Sequence, residues 1–118
     1  MLVIVDRILI ALLLLGACGH SLGSFKAYGD QPMTLLWSLC GSLYVVMLVA
    51  LNILRSLRKN DRALSAIAGV GCLVWIVPSL VFGTLIGNPF DFRPMIFVLL
   101  CLGLALFNAK AFYFKSSS

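Results

Sequence analysis

Polar and apolar positions along this chain separate into long blocks. Four stretches, 3–23, 33–54, 63–86 and 94–114, are almost continuously apolar, and the segments SFKAYGDQP, RSLRKNDR and GNPFDFR lie between them. Crossing a ~30 Å hydrocarbon core takes about 20 mostly apolar helical residues, which each stretch supplies. Lipid offers no partner to an unpaired backbone group, so the pattern predicts four transmembrane α-helices joined by short loops. The expected architecture is an all-α membrane bundle forming a single domain over residues 1–118.

Helix punctuation supports these limits. Asp30, followed by Pro32, reads as an N-cap and first-turn proline for the second helix, and Asn60 or Asp61 as the cap of the third. Asp91 with Pro94 opens the fourth, and Gly87, Asn88 and Pro89 close the third.

Composition removes the soluble alternative. The chain is 62% hydrophobic and only 11% charged, with a mean hydropathy of +1.09. Soluble domains carry about 25% charged residues, so a soluble fold would lack a polar coat. The net charge of +5 is unevenly placed. Arg7, Arg55, Arg58, Lys59, Arg62, Lys110 and Lys115 fall on one side of the predicted membrane, and only Lys26 and Arg93 on the other. Basic loops stay in the cytoplasm, which predicts both termini inside and a multi-pass protein of the bacterial inner membrane type. The positive charge is thus an orientation signal, and no nucleic-acid partner is expected; a plain retention signal is the prior reading of RSLRKNDR, with contact to anionic headgroups as the alternative.

The first apolar stretch invites a second reading, because ILIALLLLGAC has the h-region length and small residues of a lipoprotein signal ending at Cys18. Its n-region argues otherwise: MLVIVDR is apolar, and Asp6 cancels Arg7 where a signal should be basic. The expectation is a retained first helix, with Asp6 at the headgroups or paired with a basic loop residue.

Apolar helices in lipid associate through close packing of small residues. Candidates at helical spacing are Gly19 and Gly23, Ser38 and Ser42, Ser65 and Gly69, Gly83 and Gly87, and Ala105 and Ala109. Pro78 inside the third helix removes a backbone hydrogen bond and frees the Val74 carbonyl. Tyr44 and Trp75 fall at mid-depth, where their polar tips need partners within the bundle, the Val74 carbonyl among them.

Chemistry-bearing residues are few. His20 is the single histidine; near its depth stand Ser24, Tyr28, Asp30, Asp91 and Arg93. Together with Tyr44 and Trp75 they form the candidate binding group for a polar headgroup or small solute. Cys18, Cys40 and Cys101 lie at comparable depth, with His20, Met33 and Met95 nearer the surface. Thiol, thioether and imidazole suit a soft metal such as Cu(I), though none of the spacings is a metal motif. Apolar packing is the prior reading of those cysteines and methionines, and no cofactor is expected. DQPM and DFRPM echo one another at the starts of the second and fourth helices, each followed by a cysteine, as in a tandem repeat of hairpins.

In length and span number the chain resembles the small multidrug resistance exporters. That family carries an essential glutamate within its first helix; here the only acid of that helix is Asp6, near its start. The exporter function is therefore not carried over. With no nucleophile elbow, nucleotide loop or zinc motif, the expectation is a non-enzymatic accessory membrane subunit, whose partner is another membrane protein or a second copy. Solute or lipid binding around His20 is the alternative, and soft-metal or thiol-redox chemistry ranks behind it.

Overall fold

The computed structural model describes residues 1–115 and consists of four helices: α1 (Leu2–Tyr28), α2 (Pro32–Leu57), α3 (Arg62–Leu85) and α4 (Phe92–Tyr113). All four are long and apolar enough to span a membrane, and the chain is a multi-pass all-α bundle. Sequence-adjacent helices pack antiparallel, α4 closes against α1, and α1 and α3 occupy opposite corners. The start of α1, the end of α4 and the α2–α3 loop share one end, here called the terminus face. The α1–α2 and α3–α4 loops form the opposite face.

Three of the four capping expectations are met. Asp61 caps α3 by accepting from the Leu64 N–H at 3.0 Å, and Asp91 caps α4 by accepting from the Arg93 N–H at 3.0 Å. Gly87, at φ +88°, supplies the left-handed turn after α3. Asp30 departs from expectation: Gln31 stands at the N-cap of α2 and makes no side-chain cap bond, with Pro32 alone marking the start. Helix α1 also runs on past residue 23 to Tyr28. Nothing in SFKAY breaks a helix, and the Ser24 hydroxyl donates to the His20 carbonyl without unwinding the turn.

The core is a narrow apolar seam of Ile10, Leu13, Ala17, Val45, Leu48, Val49, Cys72, Leu100, Cys101 and Leu104. Most other large apolar side chains face outward, where lipid replaces the polar coat of a soluble protein. Helices approach where side chains are small. A Cβ on Gly16 would stand 3.0 Å from the Phe97 ring, and one on Gly71 only 2.5 Å from Leu48 Cδ2. Gly19 and Gly23, expected at a helix contact, have nothing within 4 Å of such a Cβ and face outward. Their packing use within the chain is corrected by that finding.

Candidate functional site

Two polar clusters interrupt the apolar interior. The first lies near the terminus face and draws on every helix. Arg55 of α2 donates from Nη2 to Asp6 Oδ1 of α1 at 2.8 Å, and from Nη1 to Asp6 Oδ2, a bidentate ion pair. Arg55 Nε donates to Asn108 Oδ1 of α4 at 2.9 Å, and Nη2 also reaches Asn52 Oδ1 at 3.1 Å. Asn108 Nδ2 donates to Asn52 Oδ1 and to the Leu104 carbonyl, each at 2.9 Å. Asn52 Nδ2 spends its two hydrogens on the Leu48 carbonyl at 2.8 Å and on Cys72 Sγ of α3 at 3.6 Å.

All four side chains are buried, Asn52 and Asn108 almost completely. The pair is formally neutral and both amides use both of their N–H groups, so the cluster needs nothing from solvent. Such an arrangement suits a structural rivet: a planar guanidinium fixes two helices through its fork and a third through Nε. An uncompensated charge at this depth would be costly, whereas a saturated pair is tolerated.

The sequence reading allowed Asp6 a basic loop partner, and Arg55 fills that role, though from inside the bundle. Arg55 therefore leaves the set of exposed basic residues at the terminus face. Asn52 and Asn108 were missed altogether. Their signal was available: each is an amide side chain within an otherwise apolar stretch, a placement that in lipid demands a partner.

The second cluster joins α1 to α2 toward the opposite face. His20 Nδ1 and Ser42 Oγ share a hydrogen bond of 2.7 Å. One turn on, Ser24 Oγ donates to the His20 carbonyl at 2.7 Å and pairs with Ser38 Oγ. Ser24 has one hydrogen and commits it to that carbonyl, so Ser38 donates to Ser24. His20 also meets the edge of Phe97, which lies edge-on to Trp75, and Trp75 stacks on Tyr44 at 5.2 Å between centroids. The Tyr44 hydroxyl donates to the Gly71 carbonyl at 2.8 Å, not to Val74. Trp75 Nε1 is buried and has no acceptor among the described residues.

The expected binding group is thus only partly assembled. His20, Ser24, Tyr44 and Trp75 are joined by the contacts above. Asp91 and Arg93 pair with each other at the α4 cap, Nε to Oδ1 at 3.0 Å and Nη2 to Oδ2 at 3.2 Å. That pairing, then the Arg93 backbone N–H, holds the Asp91 carboxyl below the usual carboxylate range. Asp30 is exposed in the α1–α2 turn, and Tyr28 is half-buried at the end of α1, near enough to Arg93 to interact electrostatically.

The thiols separate as well. Cys18 and Cys40 are exposed on the outer surface, while Cys72 and Cys101 are buried side by side in the α3–α4 contact. Met33 is exposed and Met95 half-buried on different helices. Among the described residues no three of His, Cys, Asp and Glu come together as a metal-binding group.

Comparison with protein-family models, with curated proteins and with solved structures finds no match, so the functional reading rests on the geometry above.

Proposed function

We propose that the protein is a non-enzymatic accessory subunit of a membrane assembly, docking a transmembrane helix of another membrane protein on the outer face of α1. The observation that carries this reading is the pair Gly19 and Gly23, one helical turn apart, with open space where each Cβ would stand. Two small residues at this spacing let a second backbone come close, which is how helices associate in lipid. The interior offers the reading further support, because the buried Asp6–Arg55 pair is bonded to its neighbours as a structural tie between helices. The basic residues remaining at the terminus face favour a cytoplasmic placement of both termini, in a bacterial inner membrane.

The test is recovery of the full chain from its native membrane in mild detergent. Wild type is expected to bring down one specific larger membrane protein, and Gly19→Leu with Gly23→Leu to lose it while staying folded and inserted. A clean monomer or homodimer from wild type, or undiminished recovery by the double variant, defeats the reading.

A second reading has one observation in its favour. Buried Trp75 Nε1 has no acceptor among the described residues, on a ring that stacks on Tyr44 and whose far edge lies near His20, which supports binding of a small polar acceptor at Nε1. His20→Ala would then abolish binding in a folded protein.

A further inference from the structure

We infer that an anionic diacyl phospholipid straddles the N-terminal half of α3, with one acyl chain on each side of that helix and its phosphate at the α2–α3 loop. The inference is independent of the use proposed for the outer face of α1.

Two surface grooves flank α3. One, of about 510 Å³, runs along the α2–α3 seam between walls that include Met47, Leu51 and Ile67. The other, of about 260 Å³, runs along the α3–α4 seam past Gly69, Ala105 and Phe112. Ala66 and Val70 line both, so their short side chains stand on the ridge between the grooves. Two chains tied to one glycerol fit that spacing as a saddle fits a ridge.

Depth identifies the occupant. On α3 the first groove reaches from Ala66 to Val74 and the second from Ser65 to Leu73. At 1.5 Å per residue each is ~12 Å long, close to half of a ~30 Å core. A docked transmembrane helix would need a seam through the whole membrane. Grooves that stop at mid-depth match the acyl chains of one leaflet.

Charge identifies the headgroup. The chains would emerge at the α2–α3 loop, where Arg58 and Arg62 flank Asp61 in sequence. The Arg58 side chain is 69% exposed and only loosely paired, 3.8 Å from Asp61. Arg62 is exposed too, and lies over the Phe112 ring at 4.5 Å with its Nε donating to the Phe112 carbonyl. Its guanidinium therefore marks the mouth of the α3–α4 groove, as Arg58 marks the α2–α3 side. Two exposed arginines beside the single carboxylate of Asp61 favour a phosphate without a compensating ammonium.

Native mass spectrometry of the full detergent-solubilised chain tests this, with dioleoyl phosphatidylglycerol and dioleoyl phosphatidylcholine as probes sharing the same acyl chains. One phosphatidylglycerol is expected to be retained, with phosphatidylcholine at least ~10-fold weaker. Arg58→Ala and Arg62→Ala should each weaken retention by roughly fivefold, from the usual contribution of one basic residue near a membrane surface. Arg58→Lys should retain the lipid. Ala66→Phe, and separately Val70→Phe, should expel the chains with every charge left in place. Each variant is checked for helicity and monodispersity, and one folded variant of the two suffices.

Equal retention of both lipids would reduce the finding to ordinary annular lipid and overturn the proposal. So would undiminished phosphatidylglycerol binding in a folded Ala66 or Val70 variant, or a loss on Arg93→Ala at the opposite face equal to that on Arg58→Ala. Conversion of a dimer to a monomer by Ala66→Phe would assign the grooves to a second copy and also overturn it.

Discussion

The two polar clusters solve the same problem with different reach. Near the terminus face, Asp6, Asn52, Arg55 and Asn108 tie α1, α2 and α4 together and reach α3 through Cys72. Toward the opposite face, His20, Ser24, Ser38 and Ser42 form no ion pair, and their hydrogen bonds join α1 to α2 only. The charged cluster has no cheap partial state, since removing one member strands a charge in a low-dielectric interior. The neutral one can lose a rung and leave little behind, because a hydroxyl in a helix falls back on the carbonyl one turn earlier. Ionic character, more than hydrogen-bond number, separates the part that holds the bundle from the part that trims it.

The sharpest way to break this contrast is at Asp6 and Arg55. Arg55→Ala, leaving the buried Asp6 carboxyl without its partner, is expected to destabilise the protein by about 3–5 kcal/mol. Asp6→Leu combined with Arg55→Met should recover most of that loss, because two apolar groups need no partner. Unfolding in mixed micelles for the two single variants and the double gives the coupling directly, and an additive cycle would refute the rivet. At the other cluster the effect is smaller. Ser42→Ala should cost about 0.6 kcal/mol and no more than ~2, the range found for interhelical hydrogen bonds in lipid. A loss as large as that of Arg55→Ala would erase the distinction.

The smallest effect belongs to the Asp91–Arg93 pair at the α4 cap, which is exposed. Its folded-state carboxyl lies below the ordinary range. The stabilisation is therefore present above the usual carboxylate pKa and is lost as pH falls through the lowered folded value. Thermal unfolding of wild type against Asp91→Asn should show a wild-type advantage at neutral pH that shrinks on acidification. An advantage that grows with acid would reverse the assignment.

The architecture was legible because span length and loop polarity are composition signals that tertiary contacts do not override. The polar site was less so, for a reason visible in Arg55. Its place in RSLRKNDR reads as loop, yet it lies within the last turn of α2 and its side chain turns inward to meet Asp6. Sequence gives the depth of a residue and leaves its azimuth open. The two segments of the hairpin echo also differ in their local roles. Asp91 caps α4 while Asp30 caps nothing, and Cys101 is buried where Cys40 faces outward. His20 drew attention as the lone histidine, but its Nδ1 is already held by Ser42.

The partners of Arg55 also set an order of events during synthesis. Asp6 precedes it by 49 positions and Asn108 follows it by 53. Helix α1 thus leaves the ribosome carrying a carboxylate whose counter-ion arrives only with the last turn of α2. The first hairpin becomes electrically neutral at that moment, and the guanidinium Nε stays unbonded to Asn108 until the fourth helix is in place. Nascent chains stalled before α4 would hold an arginine lacking its Asn108 bond until the fourth helix arrives.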